Sequence, residues 1–282
     1  MFRYKLIPAL AALPGLLWLC AAPSDSGRFR FVLLGDRTGE SQPGVFEQVW
    51  KGVAVLNPAF VVGAGDTIEG TLDATAEAQW QAVEETLSAW KRFPLYLAPG
   101  NHDVWSDRSA QLFEHYATHP LHYSFDYAQA HFTVLDNSRS DPFPPAELAF
   151  LEEDLRRHNE QPLKFIVSHR PSWLVNLVIN DPNFELQRIA KRYGARYVIA
   201  GHLHELLHAE LDGITYVSLP SAGGHLRGNH NYSDGWLFGY TVVDVDGKTA
   251  AFHVHELDAP EGQGRVTSLD AWGKAGLLQP TL

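Results

Sequence analysis

Five apolar stretches of this sequence break off in side chains that bind metal ions. FRFVLLGD ends in Asp36, AFVVGAGD in Asp66, LYLAPGNHD in Asn101, His102 and Asp103, KFIVSHR in His169 and Arg170, and RYVIAGHLH in His202 and His204. A carboxylate can bridge two cations, neutral imidazole suits zinc, iron and manganese, and an asparagine oxygen adds a ligand without further negative charge. Brought to one patch, the set would hold two divalent or trivalent ions of zinc, manganese or iron. One Gly-Asp or Gly-His alone is an ordinary turn or a surface histidine. Five such ends in one chain point to a site.

The elements that must position them follow from the pattern. Each polar end sits just beyond the carboxyl end of a strand-like run, where open α/β sheets present ligands, and glycine introduces four of the five. Apolar runs of strand length recur at 29–34, 59–64, 95–98, 131–136, 163–168, 196–200, 214–219, 238–244 and 250–256. Between the earlier runs lie helical stripes: Val45, Val49, Val53 and Leu56; Trp80, Val83, Leu87 and Trp90; Leu148, Leu151 and Leu155; Leu186, Ile189, Ala190 and Tyr193. After residue 205 the helices give way to strands with Asp-Gly turns at 212–213 and 246–247, so a parallel first half passes to an antiparallel end. Two sheets face to face, with helices outside, accommodate both. His202 and His204, two apart in an extended segment, would point the same way.

Bulk properties narrow the function. Arg3 and Lys5 precede an apolar segment from Leu6 to Pro23, which reads as an export signal over residues 1–24, leaving one domain over 25–282 in the periplasm or outside the cell. Pro8 and Pro14 interrupt that segment, so no stable membrane span is expected after cleavage; Cys20 leaves a lipid anchor open. Cys20 is the only cysteine, which excludes thiolate metal sites and cysteine nucleophiles from the domain. A net charge of −11 disfavours a nucleic-acid groove, while a few local cations still suffice for a small anionic substrate.

The ordered series GD, GD, GNHD, strand-end histidine and GHLH resembles the calcineurin-like metallophosphoesterase superfamily from residue 29 to about 220. The resemblance implies an α/β fold, a four-layer α/β/β/α sandwich of two mixed β-sheets. It also implies a two-metal centre hydrolysing phosphomonoesters or phosphodiesters, with a bridging hydroxide attacking phosphorus in line. Residue by residue, Asp66 matches the bridging carboxylate, Asp36 and His204 ligands of one metal, and Asn101, His169 and His202 ligands of the other. His102 matches the histidine that protonates the leaving group or steadies the phosphoryl oxygens, with Asp103 or a neighbouring carboxylate expected to orient it.

The departure from the family pattern is Thr38, where many members have a histidine ligand. Purple acid phosphatases also lack it and use a tyrosine three residues after the bridging aspartate. Here that position is Glu69, a candidate substitute ligand, a holder of bound water, or a solvated glutamate. Arg37 and Arg170 directly follow ligand positions and are expected to contact phosphoryl oxygens. His225 and His230, in the glycine-rich SAGGHLRGNHNYSDGW, are candidate substrate contacts on a rim loop, and LHYSFDYAQAHFTVLDN resembles a family hairpin. The expected partner is a small phosphorylated molecule. The alternative is a degenerate member that binds metal or a phosphorylated ligand without turnover, for which Thr38 alone speaks.

Overall fold

The computed structural model describes residues 27–90, 92–227, 232–257 and 265–272. The export segment, Cys20 and His230 lie outside them. The first half of the chain runs β1 (Arg28–Leu34), α1 (Val45–Leu56), β2 (Val61–Gly63), α2 (Asp73–Ser88), β3 (Leu95–Leu97), α3 (Asp107–Ala117), β4 (Tyr123–Tyr127) and β5 (Ala130–Val134). It continues through α4 (Pro145–Arg157), β6 (Leu163–Val167), α5 (Leu174–Val178), α6 (Glu185–Tyr193), β7 (Tyr197–Ala200), β8 (Leu207–Leu211) and β9 (Ile214–Ser218). The last strands are β10 (Gly239–Asp246), β11 (Thr249–Glu256) and β12 (Val266–Ser268).

The strands form two mixed six-stranded sheets, ordered β12-β11-β10-β1-β2-β3 and β4-β5-β6-β7-β9-β8. β1, β2 and β3 are parallel, as are β5, β6, β7 and β9, while β10 runs antiparallel to both β1 and β11. β1 shows why these strands read as continuous apolar runs. Phe31 and Leu33 enter the core between the sheets, with Phe60, Phe132 and Phe165, whereas Val32 and Leu34 pack outward with Phe46, Val49, Trp50 and Val53 of α1. Burial on both faces leaves no polar alternation. Leu151, Leu155, Leu186 and Ile189 cover the outer face of the second sheet from α4 and α6, and Trp80 and Phe113 join α2 to α3. The result is the expected four-layer α/β/β/α arrangement.

Three strands and two helices, α3 and the short α5, went beyond the sequence reading. β4 belongs to the 121–137 hairpin, β8 and β12 are short, and α3 opens on a capping box between Ser106 and Ser109. In α1 the buried stripe is Phe46, Val49, Trp50 and Val53, which shares Val49 and Val53 with the one read and takes Phe46 and Trp50 in place of Val45 and Leu56. Among the described residues no helix is long and apolar enough to cross a membrane.

Candidate metal centre

Parallel strands point their carboxyl ends one way, and the facing sheets bring the ends of β1, β2, β3, β6 and β7 to one edge. Backbone donors lock these ends together, both between the two sheets and within the first. His202 N–H donates to both oxygens of Asp36, at 3.0 and 2.8 Å, and His102 N–H to Asp66 Oδ1 at 2.9 Å. The approach at β3 is so close that a Cβ on Gly100 would lie 2.2 Å from Asp66 Oδ1, which only glycine avoids.

The histidine protons are fixed by carbonyls, which can only accept. His169 donates from Nδ1 to Ala64 O at 2.9 Å, leaving Nε2 facing Asn101 Oδ1 at 3.0 Å, His202 Nδ1 at 3.1 Å and Asp66 Oδ1 at 3.3 Å. His204 donates from Nδ1 to His225 O, leaving its bare Nε2 3.5 Å from Asp36 Oδ1. Such an orienting bond on the far nitrogen is the usual partner of a metal-ligating histidine. Spacings of this size are also those of ligands around one ion, since bonds of about 2.0–2.2 Å set neighbouring donors roughly 3 to 3.5 Å apart.

The donor set therefore fits metal ions, and two buried atoms say so directly. Asp36, Asp66, His169 and His204 are each 0% exposed, yet Asp66 Oδ2 and His204 Nε2 have no hydrogen-bond partner. An orphaned buried polar group costs about 1–3 kcal/mol, which a cation would offset. Asp66, His202 and His204 also sit in left-handed backbone, at φ 56°, 71° and 61°. Such strain persists where the surroundings over-determine it. It corrects the reading of 202–204 as extended: the two rings diverge, His202 toward His169 and His204 toward Asp36.

The electrostatics describe a cluster that wants positive charge. Burial opposes a charged His169, but Asp66 and Asp36 outweigh it and push the imidazole up to about 9. Burial likewise works against an ionised Asp66, which the His169 and His102 contacts nonetheless hold far below the usual carboxylate range. His202, burdened by burial and then by His169, is pushed down to about 4.

Other expected residues have different places. Asp103 does not orient the His102 ring: its Oδ1 accepts from Thr67 N–H and Ile68 N–H at 2.8 and 3.1 Å, and its Oδ2 from Gly100 N–H at 2.9 Å. It braces the loops carrying Asp66 and Asn101, and burial, then Asp66, push it up to about 6. The His102 ring is held instead through Nδ1 by the Glu69 carbonyl at 2.6 Å. The Glu69 carboxylate accepts from Glu40 N–H at 3.2 Å, Ser41 N–H at 2.8 Å and the Ser41 hydroxyl, and so fastens the 40–41 loop. Arg37 donates to Thr67 O at 3.1 Å, with its guanidinium 5.3 Å from the Phe46 ring centre. Arg170 stays beside the cluster, with Nη1 3.4 Å from His202 Nε2. His225 bonds to Gly39 O through both its backbone N–H and Nδ1.

Sequence reasoning missed Asn137, whose Oδ1 accepts from His169 N–H at 3.1 Å and Arg170 N–H at 3.0 Å. It follows β5, a sixth strand end in the same parallel set, and holds the β6 end in register. A second histidine cluster lies away from the strand ends, on the β4–β5 hairpin and α4. There His131 meets Asp126 through Nδ1 at 2.7 Å and Asp154 through Nε2 at 2.9 Å, with the His158 ring stacked 3.9 Å away. Both contacts are of hydrogen-bond length, and although burial opposes a charged ring, Asp154 and Asp126 raise this imidazole above its ordinary value.

The calcineurin-like phosphoesterase family model matches residues 29–206. Tartrate-resistant acid phosphatase type 5 of Rattus norvegicus is 23% identical over 293 residues, covering 83% of this chain and 88% of its own. Purple acid phosphatase PPD1 from yellow lupin (Lupinus luteus) seeds shares the fold with a TM-score of 0.65 at 16% identity, over 90% of this chain; the chain spans 57% of the lupin protein's length. GAP50, the anchor in the inner membrane complex of Plasmodium, matches with a TM-score of 0.58 at 14% identity, over 86% of this chain and 88% of its own.

Proposed function

Since the chain belongs to the calcineurin-like phosphoesterase family, we propose that it hydrolyses phosphate esters of small molecules at a centre of two metal ions. The observation that carries the proposal is the pair of buried, unpartnered atoms Asp66 Oδ2 and His204 Nε2 within a set of donors spaced as ligands. Asn101, His169 and His202 would hold one ion, Asp36 and His204 the other, with Asp66 serving both. Metal ions there lower the pKa of water and neutralise charge on phosphoryl oxygens.

The chain's own residues supply the rest. Arg170, anchored on Ser138 O and standing against His202, binds a phosphoryl oxygen through its remaining N–H groups. His102, its Nδ1–H directed at Glu69 O, presents Nε2, which in the protonated ring gives its proton to the departing alcohol oxygen. The side of Asp36 and His204 keeps only three protein ligands, because Glu69 is occupied elsewhere. That favours turnover with an exchangeable ion there.

We extend the proposal to export: residues 1–24 are removed, and the mature chain begins between Ser24 and Gly27. Mass spectrometry of the exported protein tests this, a lipid-modified Cys20 being the contrary result. The function is tested by assaying chromogenic phosphate mono- and diesters before and after chelation. Hydrolysis lost to the chelator and restored by zinc, manganese or iron is expected; hydrolysis indifferent to metal would overturn the proposal.

A further inference from the structure

Thr38 removes an imidazole from the Asp36–His204 side of the centre, and a different segment covers that side. Ser221–Arg227 lies flat on the loop after β1. Ala222 N–H and Gly224 N–H both donate to Asp36 O, at 3.0 and 3.1 Å, Gln42 N–H to Gly223 O at 2.7 Å, and His225 N–H to Gly39 O at 3.0 Å. Contact is so tight that a Cβ on Gly224 would lie 2.1 Å from Thr38 O and 2.4 Å from His204 Cε1. Glycine at 224 is what lets the segment approach.

The segment delivers Arg227. Its Nη2 and His204 Nε2 each lie 3.5 Å from the point where a Cβ on Gly39 would stand, so they are no more than twice that distance apart. Its charge bears on His204. Its Nε is buried without a hydrogen-bond partner, and among the described residues it pairs with no carboxylate. Arg37 also has an unpartnered Nε, but its guanidinium is fixed on Thr67 O and Phe46. Among the described residues Arg227 has no such anchor, and a guanidinium does not ligate metal. What its fork of donors matches is a tetrahedral oxyanion.

We propose that Arg227 binds the phosphoryl oxygens of the substrate, and of the phosphate released, on the Asp36–His204 side, opposite Arg170 beside His202. The inference rests on the phosphate-ester reading and adds to it a residue that no strand-end motif contains. The two arginines flank the centre, one next to a histidine ligand of each metal position.

Inorganic phosphate is the probe, titrated calorimetrically into metal-loaded wild type, Arg227→Gln and Arg227→Lys, with metal content and ester hydrolysis measured on the same samples. Arg227→Gln is expected to keep its metal and weaken phosphate binding about 10-fold or more, the scale of a charge-assisted hydrogen bond, and to raise KM. Arg227→Lys, with charge but no fork, should recover part of the affinity. Wild-type affinity in Arg227→Gln, or loss of metal in step with affinity, would overturn the inference. If wild type hydrolyses esters while Arg227→Gln binds phosphate normally, only the inference falls. If wild type binds phosphate through Arg227 yet hydrolyses nothing, the hydrolase reading falls and the inference stands.

Discussion

His204 donates its Nδ1 proton to the carbonyl of His225 at 2.6 Å, and this one bond turns a bare Nε2 toward Asp36. The ring is thereby committed to one tautomer, fixed by a loop 21 residues further along the chain. Proton on one nitrogen, lone pair on the other: the arrangement makes the imidazole a ligand before any ion arrives.

Replacing His204 by alanine should therefore remove the ion on the Asp36 side and leave the other, which keeps Asn101, His169 and His202. Elemental analysis of purified protein should fall from two ions per chain to one. Two ions retained would mean that His204 serves neither.

His102→Ala should keep both ions and lose turnover by about 100-fold or more, the scale of a positioned acid or base. The ring's fixed contact is to the Glu69 carbonyl, not to the donor set around His169. Loss of metal in parallel with rate would move His102 among the ligands.

Glu69→Ala should leave metal content unchanged and weaken the 40–41 loop. Burial alone would raise this carboxyl, but hydrogen bonds from Ser41, Thr38 and Glu40 bring it down from 4.5 to about 2. A depressed folded value contributes stability that is full above about pH 4.5 and is lost as pH falls through about 2. Thermal unfolding of wild type and variant should accordingly differ at neutral pH and converge toward pH 2. Loss of an ion in Glu69→Ala would restore Glu69 as a ligand.

These outcomes bear on what the sequence could reveal. The strand ends were legible because an apolar run that stops in glycine and a ligand-type residue is a local signal, and parallel strands carry such ends to one edge. Where a side chain turns was not. Arg37 and Arg170 both follow ligands, yet one folds back onto Thr67 O and Phe46 while the other stays by His202. Asn137 works through backbone bonds that leave no motif, and Arg227 depends on a loop laid on another loop by two glycines. The left-handed turns at His202 and His204 escaped because non-glycine residues seldom adopt them. α3 carried its own signal in Ser106 and Ser109, with Leu112 and Phe113 at helical spacing.

The His131 clamp supplies a prediction outside the centre. Burial lowers this imidazole, but Asp154 and Asp126 outweigh it and raise it above 6.5. A raised folded value contributes stability that is full below about pH 6.5 and is lost as pH rises through the folded value. In metal-loaded protein, the loss of thermal stability in His131→Gln should be largest near pH 6 and shrink toward alkaline pH. A loss equal at all pH would show that the ring is not charged.

The central claim is that one carboxylate, Asp66, serves two ions at the meeting of the strand ends, and metal stoichiometry tests it most directly. Wild type and Asp66→Asn, purified identically in zinc or manganese and checked for folding by circular dichroism, would be compared by elemental analysis. The account predicts two ions per chain in wild type and loss of both in the folded variant. Two ions retained in Asp66→Asn, or none bound by wild type, would contradict it.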